Sequence, residues 1–189
     1  MQDYVQEEPL IIESGRGCTL KDIWGNEYLD GVSSLWTNVH GHGKAEIDAA
    51  ITRQLGKIAH STLLGLSNVP AIQCAKQLVA IAPEGLTKVF YSDNGSTAVE
   101  VALKMAFQYQ RQAREGSLQR TKLISLTNAY HGDTIGSVSL GGIDLFHATY
   151  GQLLFNSLKA TSPYCYRCPF GKTYGDCKTA CLSQMETLM

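Results

Sequence analysis

The chain has 189 residues, 44% hydrophobic and 17% charged, which suits a globular protein with one sizeable core and excludes a disordered one. Sixteen basic residues against 17 acidic ones give a net charge of −1, so no basic face for nucleic acid is implied. No apolar run approaches the roughly 18 residues of a membrane span, and a start bearing Asp3, Glu7 and Glu8 is unlike a secretory leader; both points suit a cytoplasmic protein.

From Leu10 to about Leu29 the residues alternate, with turn signals at Gly15, Gly17 and Gly25-Asn26, which predicts a small antiparallel hairpin unit. Asp30 to Gly43 reads as a glycine- and histidine-bearing loop that lines a site. Its His40 and His42 could pair on a metal, but two histidines without further ligands fit packing or loop hydrogen bonding better. Ala45 to Ile58 has helical spacing. A second helix starts at Asn68-Val-Pro70, with Asn68 near the N-cap and Pro70 in the first turn, and runs to Ala82 before Pro83-Glu-Gly85 stops it. Cys18 and Cys74 read as small core residues.

Lys88-Val-Phe-Tyr91 is a short apolar run that reads as a strand. A polar turn follows, and then Ala98, Val101, Ala102, Met105, Ala106 and Tyr109 recur at helical spacing to about Glu115. The turn therefore delivers Gly95, Ser96 and Thr97 to a helix start. The first amides there have no internal partner, and the helix dipole adds positive charge, so the end suits a phosphate. The plainer reading is an ordinary cap made by Asn94 or Ser96. A further strand, Lys122-Leu-Ile-Ser-Leu-Thr127, ends in a loop that carries Tyr130, His131 and Asp133. In open α/β sheets ligands sit at the carboxyl ends of parallel strands, so two such strands place a phosphate cradle and an aromatic platform on one edge. That pairing fits a phosphorylated aromatic cofactor.

Gly141-Gly142 breaks the segment after Ser139, and Asn68 to Ser139 alternates helix and strand as a helix-covered parallel sheet does. Near the end, Cys165, Cys168, Cys177 and Cys181 form a C-x2-C-x8-C-x3-C cluster. Three readings stand open for it: four free thiols, a tetrahedral zinc site, or disulfides, the last disfavoured in cytoplasm.

Two segments, Ser92-Asp-Asn-Gly-Ser-Thr-Ala-Val-Glu100 and Tyr130-His-Gly-Asp-Thr134, resemble the class III, pyridoxal-phosphate-dependent aminotransferases. Three more resemble the branch that aminates 8-amino-7-oxononanoate to 7,8-diaminononanoate in biotin synthesis: Asp30 to His42, His60 to Asn68, and Ser162-Pro-Tyr-Cys-Tyr-Arg-Cys-Pro169. The resemblance covers essentially the whole chain. It implies an α/β, fold type I transferase like aspartate aminotransferase, present in part: an N-terminal hairpin unit and the first part of a mainly parallel large-domain sheet. The implied division is a small-domain segment and site loop over 1–43, the start of the cofactor-binding domain over 44–160, and a cysteine-rich insertion over 161–189.

Position by position, Gly95 and Ser96 match the family's phosphate-binding pair, with Thr97 beside them. Tyr130 matches the tyrosine that stacks near the cofactor ring and borders the substrate, supported by His131 and Asp133. Trp36 belongs to a substrate-side segment; one relative has tryptophan at both 35 and 36, so Leu35 alters that contact and with it the choice of amino donor, S-adenosylmethionine or lysine. The family's Schiff-base lysine and the aspartate that pairs with the pyridine nitrogen fall beyond Met189. None of this chain's lysines has a matching context, and each reads as a solvated surface residue. No catalytic residue is therefore assigned. The resemblance implies an N-terminal piece of a homodimeric enzyme, lacking also an upstream His-Pro-Tyr/Phe-Thr motif. Two other readings stay open: a non-catalytic module or remnant that binds phosphate or zinc, and a different class III ω-aminotransferase.

Overall fold

The computed structural model describes residues 9–112 and 120–189. The chain divides into two units, Met1–Thr87 and Lys88–Met189, and each contains one small sheet.

In the first unit, β1 (Ile12–Arg16), β2 (Thr19–Asp22) and β3 (Glu27–Leu29) pair antiparallel in that order. Arg16 faces Thr19 across a turn in which Gly17 takes a φ of 57°. Gly17 is in the turn as expected, while Gly15, also read as a turn residue, lies inside β1 opposite Leu20. The second turn is organised by Asp22, only 1% exposed. Its carboxylate accepts from the amides of Trp24 (3.0 Å) and Asn26 (2.8 Å), from Asn26 Nδ2 (2.9 Å) and from the Tyr28 hydroxyl (2.9 Å). Burial pushes this carboxyl up, but the bonds from Asn26, Tyr28 and Trp24 outweigh it and hold it below the ordinary value.

Helix α1 (Ala45–Leu55) follows, three residues shorter than expected, with Glu46 and Asp48 in its first turn and Arg53 in its last, as the dipole favours. Helix α2 (Val69–Ile81) begins where the sequence places it. Asn68 Oδ1 accepts from the Ala71 amide at 2.9 Å, and Pro70 sits in the first turn. Cys18 and Cys74 are both exposed, which corrects their reading as core residues. Cys18 sits at the tip of the β1–β2 turn and Cys74 on an uncovered part of α2.

In the second unit no ladder forms over 88–91, and Phe90 is 65% exposed. A strand is defined by its partner, and among the described residues neither strand of this unit's sheet runs beside that segment. Helix α3 (Gly95–Gln112) is capped by Asn94. The expected end near Glu115 lies outside the described residues. Strand β4 (Ile124–Leu126) pairs in parallel with β5 (Leu158–Ala160). The crossover between them carries α4 (Ile135–Leu140), α5 (Asp144–His147) and a 3-10 turn, Ala148–Leu153. Val138 and Ala160 are the buried apolar residues among those described, joined by buried Ser137 and Ser139, so the buried positions of this unit fall on α4 and β5. The chain closes with α6 (Ala180–Leu188), whose Gln184 Oε1 accepts from the Thr161 amide at 3.1 Å.

Candidate active site

The site is built on the start of α3. Asn94 spends both of its oxygens on the first turn: Oδ1 accepts from the Thr97 amide at 3.0 Å and the carbonyl from the Ala98 amide at 3.0 Å. Thr97 turns its hydroxyl back on the same turn, donating to the Asn94 carbonyl at 3.0 Å and accepting from Ser92 Oγ at 2.5 Å. The capping reading is realised locally by Asn94. Asn94 and Thr97 close the turn, while neither engages the amides of Gly95 and Ser96. A Cβ at Gly95 would meet nothing within 4 Å, so the backbone there is uncrowded. Amides at a helix start suit an anion on charge.

The Tyr130 loop lies against this helix start. Ser96 Oγ accepts from the Asp133 amide at 3.2 Å, which leaves the hydroxyl proton to donate elsewhere. Gly132, with a φ of 118°, packs onto Ser96 so closely that any side chain at 132 would overlap it. The Tyr130 hydroxyl donates to Asp133 Oδ2 at 2.6 Å, and this bond to a carboxylate pushes the phenol above its ordinary value. Tyr130 remains 50% exposed, its ring available for stacking. His131 is half-buried in the same loop. Glu100, one turn into α3 from Ser96, accepts from Thr134 Oγ1 at 2.5 Å and from the Gly136 amide at 2.8 Å. The sequence reading gave Glu100 no role; its i, i+4 spacing from Ser96 was the available signal.

Lys159 departs from its reading as a solvated surface lysine. Its Nζ donates to Ser125 Oγ (2.9 Å), Ser157 Oγ (2.8 Å) and the carbonyls of Ser139 (3.3 Å), Leu140 (3.0 Å) and Gly141 (2.5 Å). Partial burial pushes its ammonium below the ordinary lysine value. It closes the C-terminal end of α4, where carbonyls lack helical partners. From there Gly142 bonds back to Asn128 and Ala129, immediately before Tyr130.

Leu35 and Trp36 lie in the other unit, on an unusual turn. Ser33, Ser34, Leu35 and Trp36 all take positive φ, at 52°, 47°, 65° and 69°. Non-glycine residues pay about 1 kcal/mol or more each for this hand, so something must hold them. Asp30 does so: Oδ1 accepts from the Ser34 amide (2.8 Å), Oδ2 from Ser34 Oγ (2.8 Å), and His42 Nε2 lies 2.8 Å from the same Oδ2. Asn38 Nδ2 meets His42 Nδ1 at 2.6 Å. The Ser34 amide first, then His42, hold the Asp30 carboxyl down at about 2. His42 is thus a loop-bonding residue, while His40 is exposed. The turn leaves Leu35 69% and Trp36 76% exposed.

The four tail cysteines line one cavity of about 30 Å³, together with Ser162, Pro163, Tyr164, Pro169, Phe170 and Ala180. All four thiols are free. Among the described residues no group of three or more His, Cys, Asp or Glu side chains is gathered so as to hold a metal ion.

The capped start of α3 and the tyrosine loop bonded to it after a parallel strand fall on the two segments that carry the family resemblance. The aminotransferase class-III family model matches residues 2–189. The chain belongs to the class-III aminotransferases. It is 60% identical, over its whole length, to the adenosylmethionine-8-amino-7-oxononanoate aminotransferase of Nitratidesulfovibrio vulgaris, of which it spans 35%. The corresponding crystal structure from Methanocaldococcus jannaschii superposes with a TM-score of 0.81 at 52% identity, over 88% of this chain and 38% of that one. An amine transaminase from an uncultivated Pseudomonas species, solved with pyridoxal phosphate bound, gives a TM-score of 0.87 at 37% identity, over 97% of this chain and 42% of that one. This class-III chain therefore has the transaminase fold in part and spans roughly two fifths of the relatives it matches.

Proposed function

We propose that this chain forms the phosphate end and ring-side wall of a pyridoxal phosphate site in an enzyme of biotin synthesis. The enzyme moves an amino group from S-adenosylmethionine or lysine to 8-amino-7-oxononanoate, giving 7,8-diaminononanoate. The observation that carries this reading is the direct bonding of the Tyr130 loop to the start of α3. Bound there, the cofactor supplies an electron sink for the bond-breaking at the amino donor's carbon.

The chain's own residues hold and orient. The amides of Gly95 and Ser96 bind the phosphate, and Ser96, already accepting from the Asp133 amide, donates its hydroxyl proton to it. Thr97 keeps the turn closed rather than reaching outward. Tyr130 stacks on the ring, and its bond to Asp133 keeps the phenol protonated at neutral pH. His131 borders the same face. Leu35 and Trp36 contact substrate, with leucine at 35 shaping the donor pocket. No lysine of this chain is assigned the proton transfer, and Lys159 spends its ammonium on carbonyls. The working enzyme is a cytoplasmic homodimer in this reading, supported by the family alone. The segments 1–43, 44–160 and 161–189 serve as small-domain start, cofactor-binding domain and insertion.

The test is a transplant. These 189 residues replace the matching 35% of the Nitratidesulfovibrio vulgaris enzyme, and diamine formation is assayed with each donor. Activity with at least one donor is expected. A folded chimera that makes no diamine with either donor sinks the reading.

A further inference from the structure

We infer that Glu100 is a positioning residue: from one turn inside α3 its carboxylate holds the Tyr130 loop on the helix, and so fixes where the Tyr130 ring stands relative to the amides of Gly95 and Ser96. The contact stands on geometry, while its use for a cofactor ring rests on the function proposed above.

Ser96 and Glu100 are four residues apart and share one face of α3. Both face the same loop. Ser96 takes the Asp133 amide, and a single oxygen of Glu100 takes the Thr134 hydroxyl at 2.5 Å and the Gly136 amide at 2.8 Å. That amide belongs to the first turn of α4, where amides have no helical acceptor. Glu100 thus caps α4 from a neighbouring helix, with a charge-assisted bond stronger than a neutral one. Gly136 is buried, and a Cβ there would overlap the Glu100 carboxylate, so the two positions are matched in shape.

Asp133 lies next to Thr134 and accepts the Tyr130 hydroxyl at 2.6 Å. The path from Glu100 to the ring is therefore three short links: Thr134 and Gly136, then Asp133, then Tyr130. The ring itself is half exposed and gains little hold from packing. Removing Glu100 leaves the Gly136 amide without this acceptor and the Thr134 hydroxyl with Ser137 Oγ at 2.6 Å as its partner, so the loop's hold on α3 falls back on the bond from the Asp133 amide to Ser96. Lys159 secures only the far end of α4.

The experiment uses the full chain with tyrosine labelled by 13C at Cζ, and Tyr130→Phe assigns the Tyr130 signal. In the unaltered chain this signal is expected to titrate above the ordinary tyrosine value, because the phenol donates to the Asp133 carboxylate. Glu100→Ala is expected to move it to the position and titration of a free tyrosine. Affinity for pyridoxamine 5′-phosphate should fall on the order of fivefold, the size of a lost stacking contact. Affinity for inorganic phosphate, which needs only the start of α3 with its Gly95 and Ser96 amides and the Ser96 hydroxyl, should hold. Glu100→Gln keeps the acceptor oxygen and should restore the Tyr130 signal.

An unmoved Tyr130 signal in folded Glu100→Ala overturns the inference. So does an equal loss of phosphate and pyridoxamine phosphate, which marks general damage. If Glu100→Ala fails to fold, Thr134→Val removes one of the two bonds and should shift the Tyr130 signal part of the way; no shift overturns the proposal. Should the unaltered chain bind neither phosphate nor pyridoxamine phosphate, the proposed function fails, and the tyrosine signal alone decides the role of Glu100.

Discussion

Asp30 holds a left-handed turn by charge. Its carboxyl sits at about 2 rather than the ordinary 3.8, because the bonds from Ser34 and His42 favour the ionised form. A carboxyl lowered in the folded state stabilises above its unfolded value, and that contribution is lost as the pH falls through the folded value. The window here runs from 3.8 down to about 2. The amides of Trp36, Thr37 and Asn38 report on it, since they donate to Val32 and Ser33 carbonyls within the turn at 2.8, 3.1 and 2.9 Å. Their hydrogen-exchange protection, relative to unstructured rates, should fall across that window. Asp30→Asn should show low protection throughout and no acid step. Equal protection in the two proteins would mean that the turn is held by something else.

Lys159 is a second residue whose role depends on context. Sequence offers a lysine flanked by Leu158 and Ala160, which looks like an ordinary strand position. Folding gathers Ser125, Ser139, Leu140, Gly141 and Ser157 around its ammonium, from segments up to 34 residues away. Lys159→Met keeps most of the stem but leaves the α4 carbonyls unmet. Unfolding by denaturant should show a loss of about 1–3 kcal/mol, the cost of orphaned buried acceptors. A change below a few tenths would show that solvent reaches those carbonyls freely.

At the scale of elements, what was legible was local. Asn68 and Pro70 announce α2 because an N-cap acts within three residues, and Asn68 Oδ1 does accept from Ala71. Asn68→Ala should therefore cost about 1 kcal/mol in the thermal unfolding of the first unit. No change would mean that the Asn68 bond to Ser61 and the cap are already met by water. The α3 start was legible for the same reason, and of the two caps that the sequence offers, Asn94 and Ser96, the structure uses Asn94. What failed was non-local. The 88–91 segment has strand-forming residues, yet pairing depends on a neighbour that no local pattern specifies. Cys18 and Cys74 have core-like composition, but burial depends on what packs over them. The left-handed run at Ser33–Trp36 carries no glycine to announce it, and only Asp30 and His42, brought from either side, make it tenable. Glu100 escaped notice because its partners lie 34 and 36 residues away.

At the scale of the whole molecule, the apolar residues outrun the surface available to bury them. Ile47, Ile51 and Leu55 form a row along α1 at helical spacing, and all three are exposed. Val69, Ile72 and Ile81 of α2 and Met105, Phe107 and Tyr109 of α3 are exposed as well. The β4–β5 sheet has only two strands, so each has an unpaired edge among the described residues. Water must solvate those edges and rows, at a cost that grows with apolar area. The chain spans 35% of one relative that it matches and 42% of two others. In dilute buffer the isolated chain should therefore associate as its concentration rises and bind an apolar fluorescent dye. Both signs should weaken when the remaining segment of a relative is supplied as a second polypeptide, because added strands and helices satisfy the same edges and faces. Sedimentation velocity across a concentration series reads this directly. A single monomeric boundary at every concentration, with no dye binding, would show that these rows are not open to a partner in solution, and the idea that they drive association would have to be given up.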